Sequence, residues 1–191
     1  MKKQLIISIK LLLIMTLLLG VIYPLFITGL AQLAFPSKAN GSLVEVNGTL
    51  RGSKLIGQQT DSSSYFNPRP SATGYNTLAS GAFNLGLTSR KLHSLVETRR
   101  ADIIQKDSLS NDAIIPAEML FASASGLDPH ISPEAAKMQI ERIAKVRGFS
   151  DKQKQQLSAL VDKLTETPQF GIFGCARVNV FMLNIELDKL K

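Results

Sequence analysis

The stretch LLLIMTLLLGVIYPLFITGLAQLAF, Leu11–Phe35, decides the architecture. No charged residue occurs from position 11 to position 37, between Lys10 and Lys38. About 20 apolar helical residues cross a hydrocarbon core of about 30 Å, so the run is long enough to span a bilayer. A cleaved signal peptide would need a shorter apolar region and a small-x-small cleavage site, which Ala31-Gln32-Leu33-Ala34 fits poorly. The reading is therefore an uncleaved transmembrane helix over 11–35. Pro24 lies inside it and removes one backbone hydrogen bond, so a kink or a packed partner is expected there.

The flanks set the orientation. Lys2, Lys3 and Lys10 lie in residues 1–10, which contain no acid. The positive-inside bias places this basic stub in the cytoplasm and residues 36–191 outside it. The whole chain carries +7. Removing the three lysines of the stub leaves 19 basic against 15 acidic side chains, a surplus of four. Such a surplus argues against a nucleic-acid-binding domain. The single cysteine, Cys175, rules out an internal disulfide, so the outer domain must rest on its apolar core. Asn47-Gly48-Thr49 fits a glycosylation sequon and equally a turn.

Along that domain, Leu43–Val46 and Leu50-Arg51 flank Asn47-Gly48, a strong hairpin signal. Lys54–Gln58 reads as a continuing strand. Residues 60–90 are rich in Ser, Asn, Gly and Pro, a long loop whose aromatics Tyr65, Phe66 and Tyr75 need somewhere to pack. Leu92, Leu95, Val96, Arg99 and Ile103 then fall on one helical face. Ala113–Ile115 suggests a short buried strand, and Glu118–Ala122 a helical turn or two. Ser132, Pro133 and Gly148 bracket a helix as N-cap, first residue and C-cap, with Ala136, Ile140, Ile143 and Ala144 on its apolar face. Ser150 and Gln153 have capping-box spacing before a third helix bearing Leu157, Leu160, Val161 and Leu164. Arg177–Leu187, β-branched and apolar, reads as a buried strand. The fold class is α+β, one mixed domain with helices in the middle and strands at both ends, behind one N-terminal transmembrane helix.

The search for chemistry returns no catalytic set. Ser125, Asp128 and His130 are the residue types of a hydrolase, but they crowd into six positions. Triad members normally face each other from separate parts of a fold. Ser123–Leu127 also lacks the glycines of a nucleophile elbow. A structural reading assigns most of these residues: Gly126 permits left-handed backbone, Asp128-Pro129 starts a type I turn, and Glu134 sits where the helix dipole favours an anion. His130 alone has no structural task. Metal binding lacks ligands, with only His93, His130 and Cys175 to offer. Ser80–Gly86 is glycine-punctuated ahead of a helix, yet the chain has no Gly-Lys-Ser/Thr, so a turn is favoured over a phosphate site.

Several of these segments together resemble a known family, the C subunit of the Kdp-type potassium-transporting ATPase of bacteria. The likeness rests on the basic stub and single helix with Tyr23-Pro24, on Leu55–Gln58, and on Tyr65–Ala72 (YFNPRPSA). It extends to Ser80-Gly81 with Asn84–Gly86, Ser123–Pro133, and Arg177–Val180 with Leu183-Asn184. It implies an accessory subunit of the cytoplasmic (inner) membrane without catalytic residues of its own. The partners it implies are a channel-like potassium-translocating subunit, a P-type ATPase subunit and a small peptide subunit. ATP and potassium would be handled by those partners, and no metal or cofactor is held by this chain.

An alternative that the resemblance also carries is a nucleotide-binding regulator that raises ATP affinity, with Gln58, Ser80 and Gly81 as weak candidates. The partner-contact candidates are Tyr65, Phe66, Arg69, Asn84, Asp128 and His130. Two departures stand out. Ala82 and Phe83 replace a family Gly-Ser, crowding that loop. Gly174-Cys175-Ala176-Arg177 replaces Gly-Glu-Pro-Arg, with Cys175 expected as a small buried filler.

Overall fold

The computed structural model describes residues 2–190, which form two compact units divided between Ser53 and Lys54. In the first, the apolar run is one helix from Lys2 to Ala34. It comprises α1 (Lys2–Leu17), a π-helical turn at Leu18–Ile22, and α2 (Tyr23–Ala34). None of these segments has a buried residue. At 1.5 Å per residue the helix is about 50 Å long, so its ends extend beyond a bilayer core of about 30 Å. The π turn answers the question Pro24 raised. Pro24 offers no N–H to Gly20, and its ring crowds that carbonyl. Widening the preceding turn, with the Tyr23 N–H bonded to the Leu18 carbonyl, relieves the crowding inside the helix.

The same unit ends in α3 (Pro36–Ala39) and the expected hairpin, β1 (Leu43–Val46) and β2 (Thr49–Ser53), paired antiparallel. Asn47 and Gly48 both have positive φ, as the tight turn requires. Lys54–Gln58 does not continue as a strand. Its polypeptide turns away, and Gly57 N–H bonds the Leu127 carbonyl at 2.7 Å.

In the second unit the long loop, with one 3-10 turn at Thr77–Ala79, leads to α4 (Arg90–Asp107), N-capped by Ser89. The stripe Leu92, Leu95, Val96, Arg99 and Ile103 is half-buried throughout, and only Asp107 of this helix is buried. The expected strand at Ala113–Ile115 is absent. Ile115 is buried but Ile114 is 94% exposed, so the segment anchors one side chain and joins no ladder. There follow α5 (Ala117–Leu120), β3 (His130–Ile131), α6 (Pro133–Met138), α7 (Ile140–Arg147) and α8 (Asp151–Leu164). The caps match the sequence reading at Ser132, Gly148 and the Ser150–Gln153 capping box. The helix expected over 133–148 breaks at Gln139 into α6 and α7.

The chain closes with β4 (Thr165–Glu166), β5 (Arg177–Asn179) and α9 (Val180–Leu187). The small sheet runs β3-β5-β4, all antiparallel. The continuous strand expected over 177–187 is thus corrected to three strand residues and an eight-residue helix. Asn179 Oδ1 accepts the Met182 N–H at 3.1 Å and starts α9. Val180, Leu183 and Leu187 then fall on one helical face and are buried. A run apolar on every side does not reveal its period, so pattern alone could not separate strand from helix. The expectation of strands at both ends with helices between is revised accordingly. Cys175 is exposed rather than a buried filler, because residues 169–177 form an outward excursion of the chain.

Around the core of Ile143, Leu157, Val161, Val178, Leu183 and Leu187, the irregular loop is held by side chains. Arg142 is buried on α7. Its Nε bonds Asp107 Oδ1 at 2.5 Å, one terminal nitrogen bonds the Ser63 and Tyr65 carbonyls, and the other bonds Gln139 Oε1 at 2.8 Å. Gln139 in turn accepts the Asn67 N–H and donates to the Asn67 and Ala135 carbonyls. Asn184 on α9 clamps Phe66 the same way, Oδ1 accepting its N–H and Nδ2 donating to its carbonyl, each at 2.9 Å. Buried loop backbone must find partners, and these three side chains supply them.

Removing one member of a buried ion pair typically costs about 3–5 kcal/mol. Arg142→Met should therefore lower the denaturation midpoint of the full chain in detergent sharply, read by circular dichroism. Adding Asp107→Asn to it should recover part of the loss, because the stranded charge is gone.

Candidate functional site

Three stretches of the 57–81 loop, Gly57-Gln58, Arg69–Tyr75 and Ser80-Gly81, meet the distant segment Ser123–His130 at the face of this unit. Glycine makes the closest approaches. A Cβ on Gly57 would lie 2.8 Å from the Asp128 carbonyl oxygen. One on Gly126, whose φ is +70°, would lie 3.0 Å from Thr73 Oγ1 and 3.1 Å from the Gly81 carbonyl. Both positions require a residue without a side chain.

Asp128 is the hub. Its Oδ2 accepts from Arg69 at 2.9 Å. Its Oδ1 accepts the His130 N–H at 3.0 Å and lies 3.3 Å from His130 Nδ1. This is an Asx turn rather than the type I turn expected from Asp128-Pro129. It also gives His130 the task that the sequence did not reveal, since its ring and its backbone both serve the same carboxylate. Burial acts to raise the Asp128 pKa. The His130 and Arg69 hydrogen bonds outweigh burial and hold the carboxyl at about 2. Glu118 behaves alike: burial opposes its charged form, but its bonds with Ser132 leave its pKa below the ordinary value.

The remaining polar groups close the loops on each other. Ser80 Oγ and the Gly81 N–H both donate to the Ser125 carbonyl at 3.0 Å. Ser125 Oγ accepts the Leu127 N–H. Ser71 Oγ accepts the Thr73 and Tyr75 N–H groups, and the Tyr75 hydroxyl donates to the Arg69 carbonyl at 2.6 Å. Burial, helped by Asp61, pushes the Tyr75 phenol up to about 12, so it stays a donor at any physiological pH.

Of the candidate contact residues, Arg69, Asp128 and His130 thus form one cluster, with Gln58 half-buried near it and Ser80 and Gly81 pinned to Ser125. Asn84 is exposed on the neighbouring loop with φ of +50°. Tyr65 lies apart, half-buried. Its hydroxyl bonds Asp188 at 3.0 Å and its ring stacks 4.7 Å from the Arg147 guanidinium. Phe66 is wholly buried in the core and leaves no ring surface for another chain. Among the described residues, no three His, Cys, Asp or Glu side chains gather as a metal ion requires. Sequence reading missed Arg142 and Gln139, and it placed Asn184 in a family motif without revealing its bonds to Phe66. The available signal was Gln139, which lies three residues after Ala136 on an apolar helical stripe, where an unpaired amide would be costly.

The family profile described as K+-transporting ATPase, c chain, matches residues 5–189. The chain belongs to the KdpC family. Similar proteins carry the name potassium-transporting ATPase KdpC subunit. One from Koribacter versatilis is 45% identical over 190 residues, covering 98% of this chain and 95% of the relative. Another from Polaromonas naphthalenivorans is 48% identical, covering 93% and 90%. A third from Caldanaerobacter subterraneus is 42% identical, covering 94% and 92%. The motifs that carried the resemblance to KdpC proteins in sequence are, in three dimensions, largely one junction of loops.

The Asp128 pKa has a consequence for stability. The folded value of about 2 lies below the ordinary 3.8, so the junction gains stability that is fully present above that ordinary value. The gain is lost as pH falls through the folded value. The stability difference between the native chain and Asp128→Asn should be constant at neutral pH and shrink between about pH 4 and pH 2, measured by denaturant titration across pH.

Proposed function

We propose that this chain is an accessory, non-catalytic subunit of a high-affinity, ATP-driven potassium uptake complex. In this reading, the helix Lys2–Ala34 crosses the cytoplasmic membrane with the N-terminus in the cytoplasm, and residues 54–190 lie on the outer side. The chain binds a channel-like potassium-translocating subunit, a P-type ATPase subunit and a small peptide subunit, which handle potassium and ATP. Its contribution is thermodynamic: a domain that binds the assembled state more tightly than other states favours it by that difference in affinity.

The observation that carries this reading is the near full-length likeness to proteins named as KdpC subunits. Two further observations support it. The lysines Lys2, Lys3 and Lys10 gather at one end of the apolar helix, as the positive-inside bias would have it. Apart from Arg69 Nε, which is buried without a partner, the polar groups described at the loop junction bond one another, an arrangement suited to holding a docking face in shape.

The only cysteine provides a direct test of orientation, since Cys175 is exposed. A membrane-impermeant maleimide should label it in intact cells, and Cys175→Ser should abolish the label. Labelling only after the cells are opened without detergent, which leaves the bilayer intact, would place residues 54–190 in the cytoplasm and overturn the proposed topology. Assembly is tested at Arg69. Arg69→Ala strips the half-buried Asp128 carboxylate of its guanidinium partner and leaves it to His130 alone, at a cost of about 1–3 kcal/mol. It should reduce the amount of chain that copurifies with a tagged ATPase subunit and slow growth at limiting potassium. Undiminished copurification would remove the junction from the docking face.

A further inference from the structure

Most exposed apolar residues of the second unit are isolated, but three are gathered on one turn. Phe170 is 91% exposed, Ile172 79% and Phe173 66%. The turn is closed by a reciprocal pair: Gln169 N–H to the Phe173 carbonyl at 2.9 Å and Phe173 N–H to the Gln169 carbonyl at 3.0 Å. Gly171 N–H bonds the Pro168 carbonyl at 3.0 Å. Phe170 itself has φ of +54° and Gly171 +73°. A bulky residue in left-handed backbone is uncommon and costs energy, and here it directs the ring outward. At the foot of the turn Arg177 pairs with Glu166 at 2.9 Å. From Thr167 to Ile185 the sequence contains no acidic residue.

We infer that this tip inserts into the interfacial region of the bilayer in which the chain is anchored. Three facts select lipid over a protein surface. The tip is small and stands on one tight turn, whereas a stable protein interface takes about 800 Å² from each partner. A few aromatic and aliphatic side chains, with no carboxylate among them to oppose an anionic surface, meet the needs of interfacial insertion. The bilayer is also never far away. Only residues 35–53 separate the end of the apolar helix from the start of the second unit, so the tether keeps the tip at high effective concentration near lipid. The inference does not depend on which side of the membrane the unit occupies.

The chain has no tryptophan, so one substitution makes a clean reporter. Full-length Phe170→Trp, or Ile172→Trp as a second variant, is reconstituted in phosphatidylcholine–phosphatidylglycerol vesicles with or without brominated acyl chains. The control is Leu87→Trp, at a residue 95% exposed elsewhere on the unit. Emission from the tip should shift to the blue and lose about half its intensity with brominated lipid, while the control keeps its intensity. Water-like emission that aqueous acrylamide quenches freely would overturn the inference, as would equal bromolipid quenching of the control. So would protection of the tip only when the partner subunits are present and without any effect of brominated lipid, which would mark a protein contact.

Discussion

The buried guanidinium of Arg142 is the constraint on which the second unit depends. It lies among apolar helices, where an unpaired charge would be prohibitive. Asp107 neutralises it, and the Ser63 and Tyr65 carbonyls with Gln139 occupy its other donors. Each bond does two things. It satisfies Arg142, and it ties down another part of the fold: the end of α4, the loop entering Tyr65, or Gln139 between α6 and α7. With Gln139 and Asn184 continuing the stitching onto Asn67 and Phe66, a segment rich in Ser, Asn and Pro becomes as well defined as a helix. Placing Phe66 wholly in the core is the result.

From that fixed point the loop runs outward to Arg69 and the junction around Asp128. The loops are joined there by short polar contacts rather than by a sheet. The sheet is small, and its central strand β5 has only three residues. A docking face built this way can hold loops in a set shape without regular structure beneath them, which suits a subunit whose proposed task is to bind neighbours. The same economy explains the glycines at 57 and 126. They let four backbone segments approach to distances that any side chain would prevent.

The parts legible in the sequence were those governed by local physics. Helix caps at Ser132 and Ser150, the Asn47-Gly48 turn and the apolar stripes of α7 and α8 follow from residues a few positions apart. Errors arose where the deciding partner lay far off. Ala113–Ile115 and Lys54–Gln58 have strand-like composition but find no ladder. Arg177–Leu187 is apolar on all sides, and the cap at Asn179 with burial of Val180, Leu183 and Leu187 made most of it helical. At the candidate site, the crowding of Ser125, Asp128 and His130 into six positions reads as unlike a triad from the sequence, but the service of His130 to Asp128 needed the folded turn.

The sequence by itself determined that one long apolar helix, basic at one end, precedes an α+β unit without disulfides, and it displayed the motifs of the KdpC family. These depend on composition, period and neighbours along the chain. Only the tertiary structure decided that Arg69 reaches Asp128, that Arg142 holds the loop, and that Phe170, Ile172 and Phe173 stand outward together. The first two outcomes rest on the burial of charge and backbone between segments as far apart as Tyr65 and Arg142, and no local pattern encodes which distant group will satisfy which donor.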